Sequence, residues 1–136
     1  MSNVVDVVVA DKNLATMSRG VKVVGLDSVL SRKGPFTIFA PTDIAFGKLK
    51  AGRMEQLLKT ENKEKLTELL NHHVVEGITN YSDLTDDQKL VTASGRVLTV
   101  KVDDKKVTIN GATVQGRDSI GSNGVVHSLD TVLEMN

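Results

Sequence analysis

The segment FTIFAPTDIAFGKL, Phe36 to Leu49, holds a strand, a sharp turn and the start of a helix in one short run. Phe36 to Ala40 is rich in β-favouring side chains, and Phe36, Ile38 and Phe39 supply its apolar anchors. Pro41 must end it as a central strand, because proline brings no amide donor to the ladder. Thr42 then stands where a helix N-cap belongs, its hydroxyl placed to accept a first-turn N–H, and Asp43 lies at the positive end of the helix dipole. Ala45, Phe46 and Leu49 follow and pack that helix back onto the strand.

Upstream, Leu14, Met17, Val21, Val24, Val29 and Leu30 recur mostly at helical spacing, with Gly20 and Gly25 as interruptions and Lys33, Gly34 and Pro35 as a turn. Downstream, Leu66, Leu69, Leu70 and His73 stand at i, i+3, i+4 and i+7 of a helix from about Thr60 to His73. That spacing puts His73 on the buried stripe and turns His72 about 100° away from it. From Val91 onward the period is two. Leu98, Val100 and Val102 share one face, Asp103 to Lys106 turn the chain, and Val107 and Ile109 resume the alternation up to Asn110-Gly111, the signature of a type I′ hairpin. Two more short strands are expected near Ala112 to Val114 and Val125 to Val132. Helices followed by an antiparallel meander make an α+β arrangement.

With 136 residues, 40% of them apolar, the chain is long enough for one good core and too short for two ordinary domains, so residues 1–136 read as a single domain. Its 17 basic and 17 acidic side chains cancel, and no long basic run offers the clustered charge that nucleic acid requires, so no nucleic-acid partner is expected. No apolar stretch is long enough to span a bilayer, and direct membrane insertion is not expected either. The Val-rich run after Asn3 lacks a basic region before it and is interrupted by Asp6. It does not read as a signal peptide, which leaves either a cytoplasmic protein or one whose export signal has been removed. The absence of cysteine excludes disulfides, thiol catalysis and thiolate metal sites.

His73 and His127 lie in apolar surroundings, the latter in Val125-Val126-His127 before Leu129 and Asp130. One reading pairs them with Asp43 or Asp130, as base and orienter or as metal ligands, in a small-ligand or metal-dependent protein. The other makes them core histidines whose ring N–H groups satisfy buried carboxylates or carbonyls. No local spacing such as HExxH supports a ligand set, and the reading favours no metal and no catalytic residue. Asp103-Asp104-Lys105-Lys106 and Asp86-Asp87 read as solvated turns. The glycines fit neither a Walker loop nor a dinucleotide fingerprint, so no cofactor is implied. Asn80-Tyr81-Ser82 forms a glycosylation sequon of the kind common by chance.

Two segments go beyond generic pattern. Phe36 to Leu49 resembles the first signature box of the fasciclin (FAS1) family, NGVVHSLDTVL, Asn123 to Leu133, resembles the second, and LLNHHVVEG, Leu69 to Gly77, is similar to the family's Tyr-His segment. Order, spacing and total length agree. The resemblance implies a FAS1 fold, an antiparallel β-wedge of short strands with N-terminal and central helices packed around it. It marks Phe36, Phe39, Pro41, Thr42, Asp43, Phe46, His73, Asn123, Gly124 and His127 as determinants of that structure, with Asp43 and His127 or His73 as candidates for a buried polar link between the boxes.

The resemblance also implies a non-enzymatic adhesion module, outside the cytoplasm or at the cell surface, that binds a cell-surface or matrix protein, a glycan or other FAS1 domains. In animal members the Tyr-His segment and a Glu-Pro-Asp-Ile-Met stretch before the second box are implicated in integrin binding. Those positions correspond here to His72 and His73 and to Gly116 to Ile120, which makes His72, His73, Asp118 and Ile120 the candidate partner-binding residues. The tyrosine is replaced by His72, and of the second stretch only Asp118 matches, so an integrin-type site does not carry over intact. One domain offers one weak site, and useful adhesion then needs several copies acting together.

Overall fold

A computed structural model describes residues 3–30, 35–48, 56, 59–80, 83–104 and 106–133, apart from the side chains of residues 27, 29, 60 and 116–118. The strand–turn–helix unit forms as its residues dictate. Strand β1 (Phe36–Pro41) ends at the proline, and Thr42 caps the short helix α4 (Asp43–Gly47) by accepting the Ala45 N–H at 3.2 Å. Ahead of it lie three helices, α1 (Val4–Ala10), α2 (Ala15–Val23) and α3 (Leu26–Leu30); after it comes α5 (Lys63–Asn71), entered through a 3₁₀ turn at Thr60–Asn62.

The remaining strands are β2 (Val74–Glu76), β3 (Lys89–Val91), β4 (Val97–Asp103), β5 (Lys106–Ile109), β6 (Ala112–Gly121) and β7 (Gly124–Leu129). They join β1 in one sheet of order β2-β1-β7-β6-β5-β4-β3. A bridge between Val75 and Thr92, with the Ala93 N–H on the Val74 carbonyl at 2.8 Å, brings the two ends together and nearly closes the sheet. Every pairing is antiparallel except β1 with β7, which run parallel from Phe36↔Gly124 to Pro41↔Leu129. The turn at Asn110-Gly111 has φ of 48° and 88°, as a type I′ hairpin requires. In β6 the register slips at Val114/Gly116 and again at Gly116/Ser119, so this strand is bulged and longer than the short one expected.

Two cores result. Ile38 and Ala40 of β1 join α1, α2, α4 and α5 through residues such as Val8, Met17, Phe46 and Leu70. Phe39 faces the other way, into a core inside the curved sheet with Leu98, Val100, Ile109 and Leu129. β1 is thus buried on both sides, which is why its sequence is almost continuously apolar.

Local expectations shift in three places. The Val-rich N-terminal run is a helix, held by a reciprocal capping box between Asn3 and Asp6 and by burial of Val4 and Val8 one turn apart. Gly20 does not interrupt α2; it is buried within it, where an added Cβ would come within 3.4 Å of the Leu70 side chain. The central helix ends at Asn71 with His72 as its C-cap, still in helical geometry, and His72 is buried as well, contrary to its expected turn away from the core.

Gly124 marks the tightest contact in the sheet, since a Cβ there would stand 1.9 Å from the Phe36 carbonyl oxygen. Gly124→Ala is expected to force β7 away from β1 and to cost at least about 2 kcal/mol, a Tm loss of roughly 5 °C or more. A thermal melt within a degree or so of the parent would contradict the close packing of these two strands.

Candidate functional site

Asn123, in the turn before β7, ties four parts of the chain together. Its main-chain carbonyl accepts the Phe36 N–H at 2.9 Å, its side-chain Oδ1 accepts the Val4 N–H at 2.9 Å, and its Nδ2 donates to the Leu30 carbonyl at 2.6 Å. One residue therefore serves an orphan donor at the start of α1 and an orphan acceptor at the end of α3 through its side chain, and the entry of β1 through its main chain. The Thr42 N–H reaches the Leu129 carbonyl at 3.0 Å and closes the far end of the same junction.

The histidines are built into this frame. His73, fully buried, donates from Nδ1 to the Leu69 carbonyl and accepts the Leu133 N–H at Nε2, both at 2.8 Å. This pairing fixes a neutral ring with its proton on Nδ1. Burial holds its pKa down at about 4; the bond to Leu69 works the other way, and the charge of His72 adds a little to the lowering. His127, also fully buried, donates from Nε2 to the Thr79 carbonyl at 2.8 Å and stacks on Phe39, its register partner, with ring centroids 5.4 Å apart. His72 meets His73 edge-on at 6.1 Å, and its Nδ1 is buried with no hydrogen-bond partner among the described residues. Burial and then the positive charge of Arg96 lower its pKa.

The aspartates do not complete a catalytic or metal set with these rings. Asp43 accepts the Thr16 N–H at 2.7 Å and so ties α4 to α2, in place of the expected link to His73 or His127. Asp130 accepts the Thr113 N–H at 2.8 Å, and its own carbonyl takes the Lys48 ammonium. Among the described residues no group of three or more His, Asp or Glu is placed to hold a metal. The buried link between the two boxes runs through Asn123 and the main chain.

Of the four candidate partner-binding residues, the structure separates Ile120 from the rest. Ile120 exposes 66% of its surface near the end of the bulged strand β6, whereas His72 and His73 are buried and present no surface to a partner. Asp118 lies in the same strand, and its side chain is outside the described ones. Two residues passed over in the sequence stand exposed near the box junction, Ile44 beside Asp43 and Gln115 in the first bulge of β6. Ile44 carried a signal, an apolar residue off the stripe of Ala45 and Phe46; the bulge that turns out Gln115 carried none.

Asn123→Ala removes both side-chain bonds at once and is expected to cost about 1 to 3 kcal/mol, read as a lower urea midpoint with an unchanged slope. For His73, the unfolded chain takes up a proton below about pH 6.5, while the folded one resists it until about pH 4. Its contribution to stability is therefore complete above pH 6.5 and lost as the pH falls toward 4, a loss of about 3 kcal/mol. Urea titrations across that window should show the decline in the parent and a lower, flatter profile in His73→Gln. A parent profile flat across the window would refute the neutral buried ring.

The Fasciclin domain profile matches residues 12–135. Protein sll1483 of Synechocystis is 42% identical over 130 residues, covering 96% of this chain and 72% of that protein. Protein sll1735 of the same organism is 33% identical over 135 residues and 99% of both chains. The pig transforming growth factor-beta-induced protein ig-h3 is 33% identical over 133 residues, 98% of this chain and 19% of that one. Among solved structures, a FAS1 domain pair from the insect cell adhesion molecule Fasciclin I superposes with a TM-score of 0.87 at 18% identity, covering 98% of this chain and 51% of that chain. The nearly closed sheet, its flanking helices and a profile match that starts just after α1 lead to one assignment: the chain belongs to the fasciclin (FAS1) domain family.

Proposed function

We propose that this chain is a non-enzymatic adhesion module that acts outside the cytoplasm and binds a cell-surface or matrix partner. The observation that carries the reading is membership of the FAS1 family, whose fold is shared here with a domain pair from an insect cell adhesion molecule. The engagement of His73, His127, Asp43 and Asp130 with main-chain groups supports it, because each is occupied in holding the framework. A base needs a free lone pair aimed at a substrate, and His73 has none to offer.

The contact surface falls on the bulged segment of β6, where Ile120 stands out and Asp118 lies two residues before it. Bulges break the regular ladder and re-aim side chains, and an exposed aliphatic such as Ile120 gives a partner an apolar anchor. A single such patch is small, and retention at a surface then rests on several copies bound together.

Ile120→Asp is expected to leave the melting temperature within about 2 °C of the parent, because the side chain is exposed, and to reduce retention on pelleted cell-wall or matrix fractions several-fold. Asp118→Ala should act in the same direction. Retention unchanged in the double variant would place the contact elsewhere, and a parent that no surface fraction retains would refute the adhesive reading.

A further inference from the structure

We propose that a cleft between α4 and the strands β6 and β7 binds one ring of a neutral carbohydrate chain, a glycan contact in addition to the Ile120 patch, whose role rests on the adhesive reading above. The cleft has a volume of about 340 Å³ and is lined by Asn13, Thr42, Asp43, Ile44, Gln115 and Ser128. That volume lies in the range of small-ligand sites, and four separate segments of the chain bring polar groups to it.

The chemistry of the lining selects the ligand. Two side-chain amides, two hydroxyls and one carboxylate offer donors and acceptors together, as a ring bearing several hydroxyls needs. Among the described residues no lysine, arginine or histidine lines the cleft, so these residues offer a phosphate or an acidic peptide no counter-charge. Among the described residues the lining has one carboxylate beside neutral groups, a poor set for a divalent cation, and an apolar ligand would strip water from these groups without replacing its hydrogen bonds. Ile44, 76% exposed, supplies an apolar surface for the C–H face of a sugar ring.

Two features hold the site in shape before any ligand arrives. Asp43 is fixed through Oδ1 by the Thr16 N–H at 2.7 Å, while its Oδ2 has no partner among the described residues. Gln115 is the extra residue of a bulge, since Val114 faces Leu129 and Gly116 faces Ser128. The bulge takes Gln115 out of the ladder and leaves its side chain at the cleft. A pre-set carboxylate and a re-aimed amide lower the ordering cost of binding.

The test is a titration of the ¹⁵N-labelled whole chain with methyl glucoside, cellobiose and chitobiose, and separately with calcium chloride, read by amide shifts. Saturable shifts confined to Asn13, Asp43, Ile44, Gln115 and their neighbours are expected with at least one sugar. Gln115→Ala, at an exposed position and with an unchanged melt, should weaken that sugar tenfold or more. No localised shift with any of the three up to its solubility would overturn the proposal, as would shifts with calcium alone or sugar binding untouched by Gln115→Ala. Retention on a surface fraction with no sugar response would remove the glycan and leave the adhesive reading standing. Sugar response without retention would uphold the cleft and remove the adhesive reading.

Discussion

The fold depends on one parallel pairing. β1 and β7 lie far apart along the chain, and their contact from Phe36↔Gly124 to Pro41↔Leu129 is the only parallel ladder in the described sheet. Antiparallel neighbours can be joined by tight turns, but a parallel pair needs a long crossover. Here the crossover is most of the domain: α4, α5, β2 and the whole meander lie between the two strands. Closing so long a connection is entropically costly, so the junction must be held by interactions that begin only when both ends arrive. Asn123 provides them. Its carbonyl registers β1, its side chain secures α1 and α3, and Gly124 beside it has no Cβ to keep the Phe36 carbonyl out.

The same junction explains what the sequence disclosed and what it withheld. The unit from Phe36 to Gly47 was legible because each step is local: proline ends the strand, threonine caps the helix, aspartate complements its dipole. The Asn110-Gly111 hairpin was legible for the same reason. Helix α1 was not, because a valine-rich run has β-favouring residues, and it is the capping box and the burial of Val4 and Val8 that make it helical. Gly20 looked like a break until Leu70, fifty positions on, showed what needs the space. The parallel register and the bulges of β6 are relations between distant segments, and no local spacing encodes them.

The histidines show how a residue type that suggests chemistry can be spent on architecture. A neutral imidazole donates on one side and accepts on the other, so His73 connects the Leu69 carbonyl in the last turns of α5 to the Leu133 N–H beyond β7. A carboxylate could accept there but not donate when ionised, and a hydroxyl has a shorter reach. Burial depresses the pKa and so keeps the ring neutral, the state in which Nε2 has a lone pair for the Leu133 N–H. Sequence pattern placed His73 and His127 in the core correctly. It missed His72 because a helical wheel tells which residues share the stripe and not what other chain covers the remaining face at the helix end, where β2 follows at Val74.

Since the box residues that make the fold are mostly buried, likeness in the boxes settles the framework and leaves recognition to what that framework pushes outward. Thr42 is buried where it caps α4, and one turn of helix then forces its neighbours to differ: Ala45 and Phe46 go inward, while Ile44 is left in solvent. Ser128 alternates with the buried His127 and Leu129 and reaches the same surface from the second box. The parallel pairing that closes the domain thus sets two outward positions, one from each box, beside one another. Any partner that reads both is reading the fold's own closure, and the bulge in β6 brings Gln115 to the same cleft.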